Sequence, residues 1–271
     1  MGGVKAKLTI LGCGSAMPTF QNSPSGQVLE ICGRSYLIDC GEGTQITMRQ
    51  LGVHTARLYS VLISHLHGDH CFGLIGLIST LGMMHRTQPL HIYAHADLEQ
   101  LLRPLLEYHC ADLTFDVIFH SINPRKQEVI IDDRTLTVET IPLRHKVPTC
   151  GFLFTERHRK KADDGTFYYD VRKRYAYCSD TMFRPKIVDQ IHGVDLLFHE
   201  STYTEQYADK CKLTMHSTAK QAALIAQQAE VQQLLIGHFS ARVDDHQEFL
   251  HEAQEVFPNT LLAHERQTIE F

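Results

Sequence analysis

Apolar residues along this chain fall into short runs broken by Gly, Pro, Asn and Asp. The runs at residues 7–11, 28–31, 36–39, 59–64, 90–93, 115–119, 136–141, 196–199, 234–237 and 268–271 predict β-strands. Several are apolar at successive positions, as strands covered on both faces are. Helical spacing predicts helices over 44–51, 73–84 and 97–108. Two later helices carry start signals: Thr218 and Gln221 fit a capping box ahead of 222–229, and Asp245 with Glu248 resembles one ahead of 249–257. Residues 156–174 break the pattern, setting Arg157, Arg159, Lys160, Lys161, Arg172, Lys173 and Arg174 around Asp163, Asp164 and Gly165. That stretch predicts a short, exposed basic excursion between two strands. No repeat and no linker is visible, so residues 1–271 read as one domain.

The densest chemistry follows the strand at 59–64, where His65-Leu-His67-Gly-Asp69-His70 sets four potential metal ligands within six residues. A tight loop at a strand end turns such side chains to one point, and Gly68 supplies the backbone freedom the turn needs. His65 and His67 can then face one cation while Asp69 and His70 face a second. One loop cannot saturate two cations, because each needs about four ligands. More candidates sit at later strand ends: His145 after 136–141, Asp180 after the run Tyr175 to Cys178, and His238 after 234–237.

Composition narrows the setting. The chain has 271 residues, enough for a sizeable core, and a formal net charge of −5, so any basic surface for a nucleic acid must be local. Its eight cysteines form no C-x-x-C pair, which leaves no zinc knuckle or redox motif and reads as reduced, mostly buried thiols. The N-terminal residues lack the apolar region of a signal peptide, and the most apolar stretch, 72–84, is shorter than the about 20 residues of a membrane span. A cytoplasmic protein without a membrane partner is expected.

The metal motif, together with His145, Asp180 and His238, resembles the metallo-β-lactamase superfamily. Within it the chain resembles the ribonuclease Z family, the tRNA 3′-processing endonucleases. The matching pieces are Leu11-Gly-Cys-Gly-Ser15, Asp39-Cys-Gly-Glu-Gly-Thr-Gln45, Ser64 to His70, His199-Glu-Ser-Thr202, His216-Ser-Thr218 and His238-Phe-Ser-Ala-Arg242. The resemblance implies an α/β fold, an αββα sandwich of two facing mixed sheets flanked by helices. It implies two Zn2+ per subunit, with iron or manganese as alternatives: His65, His67 and His145 on one, Asp69, His70 and His238 on the other, and Asp180 bridging. It further implies hydrolysis by a hydroxide held between the ions, with Asp69 accepting its proton. His216, supported by Glu200, would donate a proton to the leaving oxygen, and Ser240 and Arg242 would contact substrate. The substrate implied is precursor tRNA, trimmed of its 3′ trailer to leave a 3′-hydroxyl, and the assembly implied is a homodimer.

Two features depart from that family. Its long tRNA-gripping arm is reduced here to residues 156–174, and its basic loop after the first strand reads Pro18-Thr-Phe-Gln-Asn-Ser-Pro24, without Lys or Arg. Both remove positive charge, which dominates affinity for RNA phosphates. A general metal-dependent phosphodiesterase or small-ester hydrolase of the same fold is therefore the alternative. A metal-free scaffold protein is a third reading, opposed by the complete set of seven candidate ligands.

Overall fold

The computed structural model describes residues 6–20, 22–243 and 245–271. In chain order the strands are β1 (Lys7–Gly12), β2 (Gly26–Ile31), β3 (Arg34–Cys40), β4 (Leu58–Leu62), β5 (Leu90–Ala94), β6 (Val117–Ser121), β7 (Val129–Asp132), β8 (Leu136–Pro142), β9 (Cys150–Lys161), β10 (Phe167–Cys178), β11 (Leu196–Glu200), β12 (Leu234–Gly237), β13 (Thr260–Leu262) and β14 (Thr268–Glu270). The α-helices are α1 (Thr44–Gln50), α2 (Gly68–Cys71), α3 (Leu74–Met83), α4 (Asp97–His109), α5 (Val188–Ile191), α6 (Ala208–Thr214), α7 (Ala219–Gln228) and α8 (Gln247–Gln254). Two seven-stranded sheets result, in the orders β14-β1-β2-β3-β4-β5-β6 and β13-β12-β11-β10-β9-β8-β7. Each is mixed: β3 to β6 run parallel beside the antiparallel β1 to β3, and β10 to β13 run parallel beside the antiparallel β7 to β10.

The period of two along each strand divides its side chains between two cores. In the segment through β4, Leu62 joins a cluster with Leu8, Ile10, Tyr36, Val138, Phe152 and Tyr177 between the sheets. Val61 and Ile63 point the other way and pack with Leu74, Leu77, Ile78 and Leu98 beneath α3 and α4. Strands apolar on both faces thus make the αββα layering inferred from the resemblance. Each fully buried aliphatic side chain contributes roughly 1.5–3 kcal/mol.

Helix α7 begins as expected. Thr218 Oγ1 accepts the Gln221 N–H and Gln221 Oε1 accepts the Thr218 N–H, both at 3.2 Å. A cap of this kind contributes about 1 kcal/mol. Its buried face is Ala219, Ala222, Ala223, Ile225 and Ala226, small enough to seat the helix on the second sheet. The signal at Asp245 resolves differently: Asp245 Oδ1 accepts the Gln247 N–H at 2.9 Å, but α8 starts after His246 without a side-chain cap. That helix stops at Gln254 rather than at residue 257, since Pro258 disfavours helical backbone before it.

Residues 156–174 form more regular structure than a loop. Strands β9 and β10 continue straight through them as an antiparallel ribbon, from Tyr177↔Phe152 out to Phe167↔Lys161, and Gly165 at φ 87° serves the turn. Much of its charge is already matched. Lys160 and Arg172 meet Asp170 at 2.6 and 2.9 Å, Lys173 meets Asp195 at 3.0 Å, and Arg157 pairs with Asp132. The Arg174 guanidinium donates to the carbonyls of His192 and Gln190.

Candidate metal centre and its partners

The strand-end placement predicted for the site residues brings all seven candidate ligands to one edge of the sandwich. His65, His67, Asp69 and His70 come from the loop after β4 and from α2, on the first sheet. His145, Asp180 and His238 follow β8, β10 and β12 of the second sheet. Close backbone approach fixes the first group: a Cβ on Gly73 would lie 2.0 Å from the Gly41 carbonyl oxygen, so only glycine lets this segment dock on the end of β3.

The side chains form two adjoining cages that share Asp180. His65 Nε2, His67 Nδ1, His145 Nε2 and an Asp180 oxygen lie mutually within 4.8 Å, with Asp180 Oδ2 at 3.6 and 3.7 Å from His65 and His145 Nε2. Asp180 Oδ1 turns to the second cage, 3.4 Å from His70 Nε2 and 3.2 Å from His238 Nε2. Asp69 Oδ2 completes that cage at 3.3 and 3.5 Å from the same two nitrogens. His70 Nε2, His238 Nε2 and Asp180 Oδ1 are all buried without a hydrogen-bond partner. Buried orphans of this kind are costly, and three converging on one point could hold a cation.

Outer contacts fix the ring orientations, and these the sequence reasoning did not assign. Asp39, fully buried at the end of β3, accepts from His70 Nδ1 at 2.7 Å, Tyr177 Oη at 2.6 Å, Ser64 Oγ at 2.9 Å and the Ser64 N–H at 2.8 Å. Ser64 Oγ in turn lies 3.0 Å from His65 Nδ1. His145 Nδ1 donates to the Met215 carbonyl at 2.9 Å, and His238 Nδ1 to Thr202 Oγ1 at 2.9 Å. With each Nδ1 committed, the lone pairs of His65, His70, His145 and His238 sit on Nε2 and face the cages. Asp39 and His238 both hold left-handed backbone, φ 56° and 64°, a conformation Asp and His tolerate better than most residues.

Electrostatics point the same way. Burial opposes charge on His70, yet Asp180, Asp39 and Asp69 outweigh it and draw its pKa well above the ordinary imidazole value. The second cage therefore favours positive charge between its carboxylates. Burial holds His65, His67 and His145 neutral by lowering their pKa values, as ligating imidazoles require.

His216 and Glu200 meet beside the cages. Glu200, fully buried, accepts His216 Nδ1 at 2.9 Å on Oε1, together with the N–H groups of Thr181 and Ser217 at 3.1 Å. Its Oε2 takes the Thr202 N–H and hydroxyl, both at 2.9 Å. Burial works against the Glu200 charge, but His216 lowers its pKa below the carboxylate norm. For His216 burial lowers the pKa, and the Glu200 and Asp180 carboxylates reverse this to about 9. The imidazolium thus persists despite the nearby start of α7. Ser240 is buried and donates its N–H to the Thr202 carbonyl at 3.1 Å, whereas Arg242 is exposed at the rim.

Two facing mixed sheets with a His/Asp cage at their ends define a metallo-β-lactamase-fold, divalent-metal protein, and solved structures agree. The human tRNase Z short form superposes with a TM-score of 0.80 at 27% identity, covering 97% of this chain and 98% of that one. The metallo-β-lactamase fold protein YhfI from Bacillus subtilis gives 0.78 at 21% identity, covering 99% and 100%. A family model described as Anti-Pycsar protein Apyc1 matches residues 6–257. The Ribonuclease Z of Phocaeicola vulgatus is 47% identical over 296 residues, covering 96% of each chain. That of Bacteroides thetaiotaomicron is 45% identical over 300 residues, covering 98% of this chain and 95% of its own. The chain belongs to the ribonuclease Z family and is a hydrolase. Both alignments run longer than its 271 residues, so these relatives carry residues that it lacks.

Proposed function

We propose that the protein is a zinc-dependent endoribonuclease that removes the 3′ trailer from precursor tRNA and leaves a 3′-hydroxyl. The observation that carries this reading is Asp180, whose two oxygens divide between two imidazole cages beside a His–carboxylate pair. His65, His67 and His145 would hold one ion, Asp69, His70 and His238 the other, with Asp180 between them. Five imidazoles and two carboxylates suit zinc and also accommodate iron or manganese. When bound, two such ions supply an activated water at neutral pH and polarise the phosphoryl oxygens.

The chain's own groups do the rest. Asp69, held by the Ala16 N–H on Oδ2 at 2.9 Å, takes the proton released as water attacks phosphorus. His216 enters protonated, its Nδ1–H anchored on Glu200, and gives the Nε2 proton to the departing 3′ oxygen, which becomes the hydroxyl. Ser240 and Arg242 contact the RNA near the scissile phosphate. The same reading makes the protein cytoplasmic and homodimeric. Among the described residues no helix is long and apolar enough to cross a membrane. Exposed Leu101, Leu105 and Tyr108 on α4, together with exposed Met83 at the end of α3 and Met84 after it, suit a second copy.

The test is metal analysis of the purified protein beside cleavage of a precursor tRNA, with the new 3′ end mapped. One observation favours the second reading, a phosphodiesterase of small substrates: four of the seven basic residues in this ribbon are paired with Asp132, Asp170 or Asp195, which lowers the charge it presents to an RNA backbone. Turnover of a small chromogenic phosphodiester without cleavage of precursor tRNA would decide for it.

A further inference from the structure

Phe72 directly follows the metal-binding helix α2 and is 71% exposed, yet one side of its ring is packed. A Cβ built on Gly68 would meet Phe72 Cε2 at 2.4 Å and Cζ at 2.6 Å, so the ring lies against the backbone between His67 and Asp69. Gly68 and Phe72 stand at i and i+4 of this turn and share a face. At 3.6 residues per turn, Phe72 lies roughly 60° round the axis from Asp69. A flat apolar surface is thereby fixed to the cage wall next to the Asp69 carboxylate, with much of it open to solvent.

The neighbouring rim is apolar as well. The segment whose Ala16 N–H reaches Asp69 Oδ2 also exposes Met17 at 64% and Phe20 fully, and residues 14–24 contain no Lys or Arg. Such a rim offers no cationic side chain to a phosphate chain. In a phosphodiester substrate the flat apolar group beside each phosphate is the base, and single-stranded bases are held by stacking on exposed aromatic rings.

We propose that Phe72 is a stacking platform for the nucleobase next to the scissile phosphate, so that this chain recognises its substrate there by a ring face rather than by charge. The inference rests on the nuclease reading above. The test uses the full-length, metal-loaded protein and a short precursor RNA, intact or abasic at either nucleotide flanking the cut. Phe72→Ala raises KM for intact RNA roughly 5- to 150-fold with kcat little changed, and Phe72→Trp restores it. On RNA abasic at the stacked position, wild type and Phe72→Ala converge. Metal content equal to wild type shows that the cage survives the substitution. An unchanged KM on intact RNA overturns the proposal while leaving the nuclease reading standing. So does an equal loss on intact and abasic RNA, or a shift in the monomer–dimer equilibrium as the sole effect. A wild-type protein that binds and cuts no RNA overturns both.

Discussion

Asp39→Asn tests whether the second cage is organised from behind. Asparagine keeps the shape and tolerates the left-handed φ of 56°, so the backbone has no reason to move. All four contacts of Asp39 come from donors, three on Oδ2 and one on Oδ1. The amide oxygen therefore takes the Oδ2 position, still accepting from His70 and Tyr177, and the amide nitrogen is left facing the Ser64 N–H. Two losses follow: the charge assistance in the His70 bond, and one buried donor–donor contact. Hydrogen bonds to charged groups contribute about 1.5–3 kcal/mol against about 0.5–1.5 for neutral ones, so the first loss is about 1 kcal/mol and the second similar. The first loss acts on metal affinity and corresponds to roughly fivefold weaker binding of the ion held by His70, whereas the second is present with and without the ion and lowers the stability of the fold instead. Competition with a chromophoric chelator, resolving two binding steps, measures it. The step assigned to His65, His67 and His145 should shift less, because Asp39 reaches His65 only through Ser64. Two unshifted steps would refute the reasoning, and equal weakening of both would refute the assignment of Asp39 to one cage.

Other consequences can be measured as directly. His216→Ala should keep both metals by elemental analysis and lose roughly 10²- to 10⁴-fold in kcat for phosphodiester cleavage, and unchanged turnover would remove the proton-donor role. Leu105→Glu places charge on the exposed apolar face of α4 and should yield monomers in sedimentation velocity, with metal content intact. For Asp133, burial raises the pKa, but the N–H groups of Thr135 and Leu136 and the Arg34 guanidinium outweigh it and lower it. A lowered folded pKa means stability that is fully present above the unfolded value near 4 and is lost as pH falls through the folded one. Urea midpoints of Asp133→Asn should accordingly depend less on pH below 4 than those of wild type.

The convergence of the candidate ligands was legible because its signals are local: four share one loop, and each of the other three lies just past an apolar run. Its supporting contacts were not. Asp39 and Tyr177 stand 138 positions apart and meet only because β3 and β10 face each other across the sandwich. The sequence pattern around Asp39 suggested a family resemblance but no role, since nothing local marks a carboxylate as the partner of a distant imidazole. Strands β7 and β13 escaped detection for another reason. β7 has only Val129, Ile130 and Ile131 between charged residues at a sheet edge, and β13 has three residues, so each apolar run is too short to read as a strand. The strand pairing through residues 156–174 was not legible because charged residues dominate there, and the two strands are set by register with each other rather than by an apolar pattern.

Because each leaf of the sandwich carries only part of the cage, neither half of the polypeptide holds the complete donor set. A chain divided within the exposed stretch at residues 125–127 would leave His65, His67, Asp69 and His70 on one fragment and His145, Asp180 and His238 on the other. Reassociation of the fragments would then be linked to free metal concentration, with each ion that binds only the joined form favouring it by mass action. Chelation would part them again, making the centre a reversible clasp between two pieces of one fold.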